Sequence, residues 1–289
     1  MAVRGAYRAW FIVPAVAGLL LIWSLLSARS GDGVSKPYEG REAATATLRA
    51  PEGGGEDAAP RLVERLALLG IGAEVLEASA QRVRLALHRV ADPEDAMRAV
   101  ATSDPLSFHI VEDTGEPTDA GGARPWLTGT SRADLRASTA RAGPPPGLVP
   151  LIECIPGPQR RGPPLCAAWL GSSARLTARH VREIHLAADP RTEEPLVQVT
   201  FTEDGARAFE ELTGAAVGKM VAVVALGEVQ ARPSIEGPNA SDRWSFSTRT
   251  GDTTRPVAVQ RARRIAEAAK LPTLPRLEIE AVEPARRAN

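Results

Sequence analysis

Apolar and polar residues alternate in short segments from about residue 44 onwards. Period-two alternation is typical of strands with one buried face. Four such segments lie in the first half of the chain, at 44–48, 73–77, 83–87 and 106–111. A helix is expected over 61–69, where the apolar positions share one face, and a second helix at Asp92-Pro93, where Asp92 can cap the first turn. This order, β-α-β-β-α-β, predicts a ferredoxin-like arrangement.

The second half of the chain repeats this mixture after an interruption. Residues 112–150 are rich in Gly, Pro, Thr and Asp, and three consecutive prolines at 144–146 exclude helix and central strand. Strands are expected downstream at 196–201, 219–226, 229–235, 243–248 and 277–282. Thr202 can cap a helix that follows the first of them, and an amphipathic helix is expected over 255–270. The pattern predicts an α+β fold with a second subdomain.

The N-terminus carries the longest uncharged apolar segment, residues 10–26, preceded by Arg4 and Arg8. As a helix this segment would span about 26 Å, close to the thickness of a hydrocarbon core. Residues 1–30 are therefore expected to be a single membrane anchor, with the positive charges in the cytoplasm and the rest of the chain outside. A cleaved signal peptide is the alternative, because small residues follow the segment.

The charge balance argues against a nucleic-acid partner. The chain has 35 Lys and Arg residues and 35 Asp and Glu residues, so its formal net charge is zero. A protein that neutralises phosphates along a nucleic acid needs a basic surface.

The two cysteines, Cys154 and Cys166, flank a turn-rich segment at 157–164. Both are expected outside the cytoplasm, where thiols oxidise. This pattern favours a disulfide at the neck of a hairpin, and the alternative is two unpaired core residues. Zinc is disfavoured because two cysteines without a nearby histidine pair do not complete a tetrahedral site.

No pattern of catalytic residues stands out. The histidines are His88, His109, His180 and His185, and none forms an H-x-x-x-H pair. Ser172 and Ser245 lack the context of a nucleophile elbow, and the glycines at 53–55 are not followed by the Lys-Ser/Thr of a phosphate loop. We expect no enzyme activity, no cofactor and no metal.

Several landmarks in the second half occur in a specific order. They are Leu176-Thr177, Asp204-Gly205-Ala206 with Phe209, Gly218-Lys219, Gly227-Glu228-Val229 with Pro233 and Ile235, and Leu271-Pro272 with Leu277-Glu278-Ile279. In this order they resemble the head of the first periplasmic domain of SecD, from the SecD/SecDF protein-export family. Upstream, Asp92-Pro93 and Leu106-Ser107-Phe108 resemble the base of the same domain.

The resemblance implies a domain plan and an address. A linker at 31–43 would lead to a ferredoxin-like base at 44–112, a head with a loop-rich insertion at 113–272, and a return strand and tail at 273–289. The expected location is the bacterial inner membrane, with a single span and the C-terminal domain in the periplasm. The family's Asp-Leu-Arg-Gly-Gly signature and its later membrane helices have no counterpart here, so we do not expect this chain to be the export motor.

The resemblance also implies a function without catalysis. The head would bind extended preprotein and assist Sec-dependent export, with preprotein and Sec translocon components as partners. The expected contact surface is the hairpin at Gly227 and Glu228 with Val229 and Ile235, although the last two are equally compatible with the core. The alternative function is a structural or adaptor module of the envelope that keeps the fold without a transport role.

Overall fold

The computed structural model describes residues 42–112, 125–155, 165–249 and 253–284, and these form fourteen strands and five α-helices. The strands are β1 (Glu42–Arg49), β2 (Gly72–Ala78), β3 (Arg82–His88), β4 (Leu106–Glu112), β5 (Leu127–Gly129), β6 (Leu148–Ile155), β7 (Leu165–Ser172), β8 (Leu176–Thr177), β9 (Val181–Ala188), β10 (Pro195–Phe201), β11 (Met220–Ala225), β12 (Glu228–Ala231), β13 (Arg243–Ser247) and β14 (Glu278–Pro284). The helices are α1 (Gly55–Leu68), α2 (Pro93–Val100), α3 (Arg132–Ala142), α4 (Glu203–Ala215) and α5 (Arg255–Lys270). The α+β fold class is confirmed.

The base consists of a four-stranded antiparallel sheet in the order β14–β1–β3–β2, with α1 and α2 against one face. Alternation along β3 directs Val83 and Leu85 into the core and leaves Arg82 and Arg84 exposed. The core also contains Leu62 from α1. The helix start predicted at Asp92-Pro93 is confirmed, since the Asp92 carboxylate accepts a hydrogen bond from the Asp95 amide at 2.9 Å.

Strand β4 does not join the base sheet, contrary to the ferredoxin-like order expected from sequence. It pairs with β11 on one side and with β7 and β8 on the other, while β14 pairs with β1. The reason is burial. Phe108, Ile110 and Val111 need apolar cover on both faces of β4, which only a central strand receives. The half-polar β14 suits the edge position, because it exposes Glu280 and Glu283.

The head contains two further sheets. The larger has seven strands, with β12–β11–β4–β7–β5 in order, β6 paired to β7 and β8 paired to β4. The smaller has the order β13–β10–β9. An aromatic cluster fills the core beside them. The rings of Phe201 and Phe209 stack with their centroids 4.6 Å apart, and the ring centroids of Trp244 and Phe246 are 4.5 Å apart. The predicted cap of α4 is confirmed, because Thr202 accepts a hydrogen bond from the amide three residues later.

A buried arginine joins the two parts of the fold. Arg65 of α1 is fully buried, and its guanidinium donates to the carbonyls of Val100, Thr102, Ser103 and Pro272. The first three carbonyls lie where the chain leaves the base for the head, and Pro272 lies where it returns. Burial lowers the pKa of Arg65 to about 10.

The predicted anchor at 1–30 lies outside the described residues, as does most of the linker at 31–43. Among the residues that are described, no helix has the length and apolarity needed to cross a membrane.

Replacing Arg65 with Met should destabilise the protein, because one buried and three partly buried hydrogen bonds to carbonyls would lose their charged donor. We expect the free energy of unfolding to fall by about 3 kcal/mol. Arg61, one turn earlier, makes a single exposed bond to the Thr273 carbonyl, so Arg61→Met should cost less than about 1 kcal/mol. Denaturant titrations of both variants measure the difference, and equal losses would contradict this role for Arg65.

Candidate functional site

The hairpin tip between β11 and β12 is docked on the base. Gly227 has a φ of 70°, in the left-handed region, and an added Cβ would lie 3.1 Å from the Ala99 Cα in α2. Glu228 is buried and forms ion pairs with Arg132 at 2.6 Å and Arg264 at 2.9 Å. Gly227 is therefore in close contact with α2, and the carboxylate of Glu228 is held by two arginines.

Val229 and Ile235 are core residues. Val229 is 1% exposed and packs with Leu151 and Trp169, whereas Ile235 is 5% exposed and belongs to the head core. They do not offer the apolar surface expected for them, and the core alternative describes them correctly. The reason is that β12 is covered by β6 and α5, which are distant in sequence.

The hairpin disulfide predicted from sequence is confirmed. Cys154 of β6 and Cys166 of β7 are direct partners in the strand register, with Cα atoms 4.1 Å apart, and their sulfurs are bonded.

The exposed apolar side chains of the head point to another surface, at strand β9. This strand is an edge of its sheet, since among the described strands only β10 pairs with it. Leu186 lies opposite Val197, on the face that points to the core, yet it is 46% exposed. Ile184 lies opposite Val199 on the same face and is partly packed against the core. The unpaired backbone edge and Leu186 are therefore adjacent.

A groove of about 230 Å³ continues this edge towards α5. Leu186, Leu196 and Val259 provide its apolar lining, and Arg255 and Arg263 stand at the helix side. We call β9 and this groove the β9 edge site. A strand edge beside an apolar groove can accept an extended peptide as an additional strand, with alternate side chains entering the groove.

Strand β9 is not among the strands predicted above, although the sequence contains a signal for it. Ile184 and Leu186 alternate with polar residues, and Asp189-Pro190 marks the turn into the clearly recognised strand β10. The Asp189 carboxylate accepts hydrogen bonds from the amides of Thr192 and Arg191, and these bonds lower its pKa. The turn thereby pairs β9 with β10 in antiparallel register.

His109 has a structural environment in β4. Its Nδ1 lies 2.7 Å from the Ser172 carbonyl, which can only accept, so Nδ1 carries the proton, and Nε2 accepts from the Ser107 hydroxyl at 2.9 Å. Burial lowers the pKa of His109. In the described part of the chain, no three His, Cys, Asp or Glu side chains are grouped so that they could hold a metal ion.

Comparison with known proteins finds similarity to the SecD and SecDF proteins. The family model of the SecDF P1 head subdomain matches residues 158–266. SecD of Treponema pallidum is 35% identical over 72 residues, which are 25% of this chain and 12% of that protein. SecDF of Thermus thermophilus is 28% identical over 183 residues, which are 62% of this chain and 22% of that protein. Residues 158–266 therefore resemble the SecDF P1 head subdomain, and the resemblance to the SecD periplasmic region is confirmed.

A solved structure of SecDF, described as a membrane component that enhances protein export, has a TM-score of 0.40 to this chain. It is 22% identical, and the match covers 82% of this chain and 98% of that one. This chain spans less than a quarter of the length of the two curated relatives named above.

The Cys154–Cys166 bond should contribute to stability. It closes a loop of 12 residues, for which chain entropy predicts about 3 kcal/mol. The double variant Cys154→Ala/Cys166→Ala should lose about this much free energy of unfolding. Wild-type protein should also resist alkylation until it is reduced, and labelling of both thiols without reductant would refute the bond.

Acid should weaken the fold through His109. Because its pKa is lowered in the folded state, the unfolded state binds more protons below about pH 6.5, and the free energy of unfolding falls as pH decreases through this value. In His109→Gln this part of the decrease should disappear. Denaturant titrations between pH 5 and 8 test it, and parallel curves for the two proteins would show that His109 contributes nothing.

Proposed function

We propose that this chain binds extended, unfolded polypeptide outside the cytoplasm and so assists Sec-dependent protein export. The observation that carries the proposal is the β9 edge site, an open strand edge with an exposed leucine in a domain that contains a SecDF P1 head. Polypeptides in export are unfolded, and they offer unpaired backbone groups and alternating side chains to such an edge.

Binding would combine two contributions. The backbone of the bound segment would pair with the outer side of β9 and continue the order β13–β10–β9. Every second side chain of the segment would then lie beside Leu186 and against the groove wall formed by Val259 and Ala262. Backbone pairing does not depend on sequence, and the groove is shallow, so the site would accept many sequences.

The charges favour weak and broad binding. Arg182, Glu183 and His185 lie on β9 with mixed sign, and the net charge of the chain is zero. Long-range electrostatic steering is therefore small, and affinity depends on apolar burial and hydrogen bonds. Salt should change the affinity only mildly.

The proposed location follows from the sequence and the family together. Residues 1–30 would anchor the protein in the inner membrane, and the base and head would lie in the periplasm, near Sec translocon components. The protein would hold or guide substrate.

Leu186→Glu should weaken binding of an unfolded substrate about tenfold or more. The change removes apolar burial worth about 1 kcal/mol and places a charge where an apolar side chain should pack. The measurement is fluorescence anisotropy of labelled, reduced and carboxymethylated ribonuclease, titrated with the full chain in detergent. Circular dichroism should show an unchanged fold, because Leu186 is half exposed.

Val217→Glu is the matched control. Val217 is 49% exposed and lies outside the strands of the head, so this variant should bind like the wild type. Equal weakening by both variants would exclude the β9 edge site. A folded wild-type protein that binds no unfolded substrate at millimolar concentration would refute the proposed function and favour the adaptor alternative.

A further inference from the structure

A chain of five charged side chains lies between the base, α3 and the β12 hairpin, and we call it the hairpin network. Asp95 of α2 pairs with Arg132 at 3.2 Å and with Arg136 at 2.7 Å. Glu228 of β12 pairs with Arg132 at 2.6 Å and with Arg264 of α5 at 2.9 Å. These pairs connect α2, α3, β12 and α5.

The hairpin network is partly buried and closely paired. Its three guanidinium groups face Asp95 and Glu228, and none of the five side chains is more than 26% exposed. Asp92 also interacts with Asp95 and Arg136. At the β12 end of the network, Arg132 and Arg264 share the single carboxylate of Glu228.

A second cluster of charges reaches the same place from β6. Glu153 pairs with Arg232 at 2.8 Å and with Arg261 of α5 at 2.9 Å, and Arg261 also lies 3.4 Å from the Cys154 carbonyl oxygen. The Arg232 guanidinium stacks over the Trp169 ring at 3.8 Å. Arg261 and Arg264 lie about one turn apart on α5, and they bring the two groups of charges together.

A cavity of about 240 Å³ lies where they meet. Its polar lining consists of Arg132, Glu228, Gln230, Gln260, Arg261 and Arg264. Three guanidinium groups and two amides provide many N–H donors around the cavity. Planar guanidinium groups match the geometry of phosphate and carboxylate oxygens.

We infer that this cavity binds a small oxyanion, and that a phosphate group is the ligand that fits it best. The lining of the cavity holds three guanidinium groups and one carboxylate, which favours an anion, and the oxygens of the ligand would accept from Arg132, Arg264 and Gln260. The phosphate could be free inorganic phosphate or part of a lipid headgroup, since both present the same oxygens. The site is separate from the β9 edge site, because Arg264 lines the cavity while its neighbour Arg263 lines the groove.

The test is thermal unfolding of the full chain in detergent with increasing phosphate, with chloride added to keep ionic strength constant. Inorganic phosphate should raise the Tm in a saturable manner. A parallel titration with short-chain phosphatidic acid distinguishes the sources: stabilisation by the lipid alone assigns the site to a headgroup. No saturable shift with either probe would overturn the inference.

Gln260→Glu is the informative variant, because residue 260 is exposed and the change leaves every ion pair of both clusters intact. A carboxylate at this position would repel the ligand and compete for the same guanidinium groups, so the apparent Kd for phosphate should rise at least tenfold. Arg263→Gln is the control, since it removes one positive charge from α5 outside the cavity and should leave phosphate binding unchanged. Undiminished binding by Gln260→Glu would locate the anion elsewhere and refute the site.

Discussion

The position of the head on the base depends on the buried guanidinium of Arg65. Its hydrogen bonds join α1 to the carbonyls of Val100, Thr102 and Ser103, where the chain departs, and to Pro272, where it returns. Carbonyls left without a donor in these partly buried segments would be costly, and the two terminal nitrogens of one planar guanidinium bind all four. Although burial lowers the pKa of Arg65 to about 10, the group is charged at neutral pH. The two segments that connect the base and the head are therefore held at a fixed distance from each other.

The distance between these two segments determines which strands other elements cover and which strands keep an unpaired edge. With α2 held against the start of β4, the tip at Gly227 contacts Ala99, and Glu228 reaches arginines from two helices. The β11–β12 hairpin is then enclosed, which buries Val229. No comparable cover among the described residues reaches the outer side of β9. The fold thus closes the hairpin that the sequence suggested for binding and leaves a different strand available.

Local signals in the sequence were sufficient to predict most strands and helices, but they did not predict which strands pair with each other. Alternation identified β3 and β10, the pair Asp92-Pro93 located α2, and the spacing of the cysteines indicated their bond. Alternation shows which side chains share a face, but it does not show which strand pairs with which, so β4 was assigned to the wrong sheet. Arg65 had no signal at all, because an arginine in an amphipathic helix usually faces solvent. Its role depends on carbonyls up to 207 residues away.

An open strand edge is a liability for aggregation, and the edges of this protein differ in how they are protected. Strand β2 also exposes apolar side chains, Val75 and Leu76, but its register shifts between Val75 and Glu77. Such a bulge bends an edge and interrupts the regular spacing that a partner strand needs. From Ala188 to Glu183, β9 keeps a continuous register with β10. Of these two edges, β9 therefore offers an incoming extended chain the uninterrupted ladder, and the groove beside α5 would receive its side chains.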